Sequence, residues 1–507
     1  MSAKTLTHVA GLALALCPAA LCLDVVWSTA AAQIEVGTLD DARDVSAGLL
    51  DIRSGGLDRN AWSGTGAALA IHLVERLPDT VDNPVAGALI EAALLSSGVP
   101  PEGPPDQQAA WEDTRNAYLL ASGRGEALAG LARRDIDLER DTRLQADIAL
   151  EAGDTARACR IADDQSTDRS APTWAKLRAF CHAVRGETAA AELTAELLRD
   201  SGHEDAVFTA LLRERLGGTR ADVAPVTPLH RAMAHRDTQT EDVGALDALL
   251  TRLDEDPSAL LPEMSALAAG NGGSYVFADA VDDDGDLATA RLYVLAFRDR
   301  SGEAMAEWLE RMSARGILRD AAAHAGTRLQ TLPAAALAAE RPGAVARAAV
   351  INNDVGALLS LFGGLPETPT KARLALVSDA LGGGFRLRPV GEELEAPLID
   401  GQTRAQSGTV GDILVALALG ARLSEEAAIA FDSVEMAAPE TAASARALLR
   451  AAAREGARAE VALRAAALTA GAETDAALVA DAVAALQDVG LDRFARQLAA
   501  LHFAGGI

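Results

Sequence analysis

Phe, Tyr and Trp make up only 3% of this chain while apolar residues make up 49%, so any core it builds must be filled by alanine, leucine and valine. Alanine gives up no side-chain entropy in a helix and lets helix axes approach closely. Packing of that kind favours helix on helix over a sheet. The expected fold class is all-α: stacked helical hairpins forming an α-solenoid, with little or no β-sheet. At 507 residues the chain has room for about three ordinary domains or one extended array.

The formal net charge is −27, and lysine occurs only at Lys4, Lys176 and Lys371. Arginine therefore carries nearly all the positive charge, and it forms no basic stripe. A surface of this sign repels phosphate backbones and anionic headgroups. Nucleic acid and an anionic membrane surface are not expected partners, whereas a basic protein or a divalent cation is compatible with the charge. Solubility alone also accounts for it.

The N-terminus has the three parts of a secretory signal: a start bearing Lys4, an apolar stretch, and Ala30, Ala31 and Ala32 before Gln33. Cleavage is expected after Ala32, with a site nearer Ala20 as the alternative because Asp24 sits within the apolar run. Pro18 and Asp24 make that run a poor membrane span. Cys17 and Cys22 each follow a leucine rather than the small residue a lipid-anchoring site needs. The expected location is periplasmic or secreted, with no stable membrane anchor once the signal is removed.

Export leaves Cys159 and Cys181. DTARACRIADD reads as a helix, QSTDRSAP as a turn and TWAKLRAFCHAV as the returning helix, with the two cysteines at comparable distances from the turn. A disulfide stapling this hairpin is the expectation in an oxidising compartment. Two buried thiols packed as small apolar groups are the alternative.

Along the mature chain, AALAIHLVERL reads as a helix with Leu69, Leu73 and Leu77 on one side, and the Pro/Gly-rich residues 98–106 read as loop. Ser201 to Glu204 and Thr238 to Glu241 read as capping boxes. The expected organisation is a signal at 1–32, an N-terminal helical-repeat region at 33–222, a middle helical region at 223–380, an irregular connection at 381–411 and a C-terminal helical region at 412–507. Within 111–217, Gly153 and Gly186 are each followed five residues on by alanine (Ala158, Ala191) and by another four later (Ala162, Ala195). This spacing resembles tetratricopeptide-type repeats, although alanine or cysteine stands at the aromatic positions. GLLDIRSGGLDRNAW, the hairpin around Cys159 and Cys181, and ALQDVGLDRFARQLAAL together resemble an uncharacterised family of exported helical-repeat proteins from alphaproteobacteria. That resemblance implies no catalytic residues.

Clusters that could carry chemistry fail on spacing. Asp282, Asp283, Asp284, Gly285 and Asp286 lack the ligands a calcium loop needs at Ala280 and Arg291, and an acidic surface turn is the expectation. His230 and His235 stand five apart, off the helical register for a shared metal, and read as exposed or capping histidines. His182 is next to Cys181, but adjacent helical residues diverge by roughly 100°. Gly382, Gly383 and Gly384 lack the Lys and Ser/Thr of a phosphate loop, and Ser63 does not fit a nucleophile elbow. Trp111, Trp174 and Trp308 read as core anchors.

The sequence thus assigns no catalytic, cofactor-binding or metal residue. It points to a non-enzymatic periplasmic scaffold that binds another envelope protein or peptide. An envelope enzyme with a dispersed site, or a subunit of a surface appendage or secretion machine, are the alternatives. Residues 381–411 are the first place to look for a hidden site.

Overall fold

The computed structural model describes residues 48–507 apart from 79, 167, 220–221, 235–244, 251, 254–255, 270–276, 282–284, 327, 333–341, 366–368, 383–389, 402–406, 435–441 and 472–473. The expected signal segment, His235, the Thr238 cap and Asp282 to Asp284 lie outside the described residues. Among the described residues there is no β-sheet, only isolated bridges between Leu50 and Ser96 and between Gly66 and Glu102.

The first helices are α1 (Ala67–Glu75), α2 (Pro84–Leu95), α3 (Pro105–Ala121) and α4 (Gly125–Ala132). Proline stands in the first turn of both α2 and α3, where a missing N–H costs nothing. Asn83 caps α2 by accepting from the Val85 and Ala86 amides. The proline-rich loop expected at 98–106 therefore ends at Pro104. In α1 the buried stripe is Ala67, Ala70, Leu73 and Val74, while Leu69 is exposed. The stripe expected through Leu69 is corrected: the small alanines, not that leucine, face the interior.

Next come α5 (Thr142–Glu151), α6 (Thr155–Asp164), α7 (Pro172–Val184), α8 (Thr188–Asp200), α9 (Ala206–Arg215) and α10 (Pro228–Ala234). Gly153 and Gly186 follow the ends of α5 and α7 at φ +70° and +75°. Any side chain there would be strained, which explains the repeated glycine. Asp141, Asp154 and Asp205 cap α5, α6 and α9 through their carboxylates. The cap expected at Ser201, in a box with Glu204, is thus replaced by Asp205, four residues closer to the helix. Ala158, Ala162 and Ala191 are fully buried, as close helix crossing requires.

The middle is built on α11 (Asp286–Phe297), α12 (Gly302–Ala314), α13 (Leu318–Ala325) and α14 (Pro342–Ile351). It concentrates the scarce rings. Tyr293 stacks on Phe297 at 4.4 Å, and Trp308 meets Phe297 edge-on at 5.3 Å. His324 Nδ1 donates to the Leu253 carbonyl at 2.8 Å, and its Nε2 lies 2.8 Å from the Tyr293 hydroxyl, which is also 3.2 Å from the Pro257 carbonyl. Burial pushes the Tyr293 hydroxyl well above its usual pKa.

The C-terminal part includes α15 (Pro369–Gly382), α16 (Glu392–Ile399), α17 (Ser407–Ala418), α18 (Arg458–Leu468), α19 (Ala476–Asp488) and α20 (Asp492–Gly505). The contacts here do not confirm the expected α-solenoid of stacked hairpins. In a solenoid each unit touches only its neighbours, but α2 packs on α18, and α20 packs on α2, α14, α15 and α19. The cause is in the helices themselves. α2 buries residues on nearly all sides, from Val85 to Leu95, and local hairpin partners cannot cover such a rod. Backbone bonds complete the closure: the Ala459 amide donates to Ala61 O at 2.9 Å, and Asp82 and Asn83 donate to Ala470 O.

The described residues cluster as one compact unit, within which their side chains form two buried clusters. The smaller runs from Ala146 to Met233 and the larger takes in most of the rest. α5 serves both, with Leu144 and Ile148 in the larger and Ala146, Ala149 and Leu150 in the smaller. The break expected at 222 does not separate cores, because Leu229 and Met233 of α10 lie in the same cluster as Phe180 and Phe208. The connection expected to be irregular at 381–411 contains α16 and the start of α17. Pro397 inside α16 hid the helical pattern there.

Candidate functional site

Closing the first helices onto the last leaves a groove of about 1920 Å³. Its walls come from α2, α14, α15, α17, α19 and α20 and from the turn between α12 and α13. At Gly411 an added Cβ would stand 2.8 Å from the Ala476 Cβ, so α17 and α19 meet closely because a glycine lies at the crossing. The lining mixes apolar side chains, among them Ile317, Leu501 and Val410, with charged ones such as Arg347 and Asp475.

One charged cluster on its wall is organised by Glu91 of α2. Both guanidinium nitrogens of Arg319 reach its carboxylate, at 2.9 and 3.0 Å, and Arg124 Nε adds a third contact at 3.2 Å. Burial alone would raise the Glu91 pKa, but Arg319 and Arg124 outweigh it and hold the carboxyl below its usual range. Two cations share one anion here, joining parts of the chain 228 residues apart.

A second cluster is organised by Arg373 of α15. Its Nε donates to Asp412 Oδ2 at 2.7 Å and its Nη1 to the Gly506 carbonyl at 2.7 Å, so one side chain ties α15 to α17 and α20. His502 Nε2 lies 3.5 Å from the other Asp412 oxygen. Burial pushes Asp412 up against the pull of Arg373. Burial and then the Arg373 charge push the His502 imidazole down to about 4, so it is neutral near pH 7. Sequence reading missed both clusters, and no local spacing signals either. The 381–411 stretch nevertheless contributes Gly408, Val410 and Gly411 to the wall.

A second depression, of about 450 Å³, is lined by Asp51, Arg53, Ser54 and Arg134. Asp51, Ser54 and Arg134 are already engaged. Ser54 holds the Asp51 carboxyl low through backbone and side-chain hydrogen bonds, and Arg134 donates to the Gly48 carbonyl.

Cys159 and Cys181 are joined by a disulfide, with Cα atoms 5.6 Å apart. His182 turns to Glu187 of the following turn rather than toward the buried sulfur. His230, expected exposed or capping, is instead buried, with Nε2 3.2 Å from Asp205 Oδ2. Asp205 also binds Lys176 at 2.7 Å and caps α9, so this polar knot pins α7, α9 and α10 together. Burial raises the Asp205 carboxyl, but Lys176, the Phe208 amide and His230 together carry it below its usual range. Gly285 precedes α11, Ser63 is exposed in a turn, and Gly382 ends α15. Trp111, Trp174 and Trp308 are buried.

Among the described residues, no group of three or more His, Cys, Asp or Glu is placed to hold a metal ion. No described helix is long and apolar enough to cross a membrane. Compared with known proteins, the chain matches no family model, no curated protein and no solved structure.

Proposed function

We propose that this chain is an exported helical scaffold whose groove holds a segment of another envelope protein, and that it belongs with the exported helical-repeat proteins it resembles. The observation that carries this reading is the groove. Its volume of about 1920 Å³ exceeds the roughly 300–1,000 Å³ of small-molecule pockets. Its mixed apolar and charged lining suits an extended peptide more than a single compact ligand. The disulfide supports a location outside the cytoplasm, since such bonds persist where the environment is oxidising. The α5–α8 hairpins, with their Gly153 and Gly186 turns and buried alanines, form a tetratricopeptide-like element within the scaffold.

The test is site-specific photo-crosslinking in the producing cell. A crosslinking residue at Ala314 or Ala477, both on the groove wall, is expected to trap one envelope protein. The same group at exposed Arg454 of the helix Ala443–Glu455 should not. Equal adducts at all three positions, or none at 314 and 477, refute the reading.

A second reading rests on the Asp412, Arg373 and His502 cluster, which puts a carboxylate, a guanidinium and a neutral imidazole on one groove wall. Such a set suits proton transfer in an envelope enzyme. It is the weaker reading because the Asp412 side chain is only 3% exposed and both of its oxygens face Arg373 or His502. His502→Gln discriminates between the two. A catalytic imidazole predicts intact partner capture with lost turnover, and a scaffold predicts that capture is the activity affected.

A further inference from the structure

α8 is the least covered of the hairpin helices. It packs on α7 and buries only Ala191 and Leu198. Leu193 and Leu197, one turn apart, are 58% and 60% exposed. At about 100° per residue they lie roughly 100–140° round the axis from Leu198, so the apolar face of α8 is much wider than the face α7 covers. In an array of helix pairs the next pair would cover that second stripe. Here the following helix, α9, packs on α7 and α10 instead. Val184, at the end of α7, is 39% exposed.

The charges beside this stripe have one dominant sign. Glu192, Glu196 and Asp200 are exposed on α8, against a single Arg199. Arg199 reaches Glu196 only at 3.8 Å, with both side chains more than half exposed, a geometry that neutralises little. A second copy of this chain would bring acid against acid, which is repulsive. From the exposed leucines and the acidic flank together, we infer that α8 is a docking surface for a basic amphipathic helix of a partner protein, laid leucine to leucine with its cations over Glu192, Glu196 and Asp200. Helices recognise one another in this way through apolar anchors spaced by one turn. Oppositely charged flanks add rate and specificity to such an encounter. The surface is separate from the groove, and its occupancy does not depend on what the groove holds.

The experiment titrates the whole chain with a synthetic amphipathic helix carrying leucine on one face and lysine on the other, and with a second peptide in which glutamate replaces lysine. The lysine peptide is expected to bind and the glutamate peptide to bind far more weakly. The double variant Leu193→Ser/Leu197→Ser should weaken binding at least about tenfold while leaving the helical circular dichroism and melting midpoint unchanged. Glu192→Gln/Glu196→Gln should weaken it as well and flatten its salt dependence. Ala314→Trp, which narrows the groove, should leave it unaffected. Binding undiminished in the leucine variant, equal binding of both peptides, or loss on Ala314→Trp alone overturns the assignment. So does a concentration-dependent dimer of the unaltered chain that Leu193→Ser/Leu197→Ser dissolves, since the occupant would then be a second copy.

Discussion

Reducing the Cys159–Cys181 bond should loosen the smaller buried cluster and leave the larger one in place. The cysteines are 22 residues apart, and closing a loop of that size removes chain entropy worth about 3 kcal/mol from the unfolded state. Both sulfurs sit in the cluster that contains Trp174, Phe180 and Phe208, whereas Trp308 belongs to the other. At 1.36 kcal/mol per tenfold, the populations of open forms in α6, α7 and α8 should rise roughly 150-fold. Native-state hydrogen exchange reads this directly: amides of these helices should exchange faster by about that factor after reduction, and likewise in Cys159→Ala/Cys181→Ala. Amides of α11 and α12 should change by less than about twofold. An acceleration spread evenly over both regions would show that the two clusters open as one. A change below about threefold in α6–α8 would show that the bond constrains nothing the fold does not already hold.

His502 has its folded pKa depressed to about 4, below an unfolded value of about 6.5. The unfolded state therefore binds the extra proton between those values, and stability should fall as pH drops through that window, by about 1.4 kcal/mol per unit from this residue. Asp412, whose folded pKa is raised, works in the opposite direction just above its unfolded value of about 3.9. Urea midpoints at pH 7 and 5 should differ in the intact chain and converge in His502→Phe; identical differences in both would refute the assignment. Glu91→Gln leaves Arg124 and Arg319 without their shared anion and should cost about 2 kcal/mol by urea unfolding. Arg319→Ala, removing a half-exposed cation, should cost under about 1 kcal/mol, and reversal of that order refutes the account of the Glu91 cluster. Trp308→Ala should cost about 4 kcal/mol, against roughly zero for exposed Leu193→Ala. Mass spectrometry of protein taken from the envelope fraction should find an N-terminus at Gln33; a chain beginning at Met1 refutes export.

The helical class was legible because it follows from composition: a chain with few rings and many alanines has little else to pack. The hairpin around Cys159 and Cys181 was legible because its turn, its spacing and its glycine all lie within a short stretch of sequence. The groove was not, since Glu91 meets Arg319 and Asp412 meets His502 across separations that no local pattern records. Arginine is abundant in this chain, so nothing in the sequence marks Arg373 as the side chain that joins three helices. His230 was misread for the same reason: Asp205, which buries and binds it, lies 25 residues upstream. The stacked-hairpin pattern did not record the packing of α2, whose all-round apolar surface asks for covering from outside its own hairpin.

That covering also orders events in time. Asp58 and Arg458 form an ion pair across 400 residues, and α2 rests on helices from the far end of the chain. A ribosome delivers the N-terminal end first, so α2 emerges long before α18 and α20, the helices that shelter it. The hairpins from α5 to α10, with their own cluster and their own bolt, can settle as they appear. The larger body must wait for its last helices, and a chain stopped short of α18 would leave α2 bare.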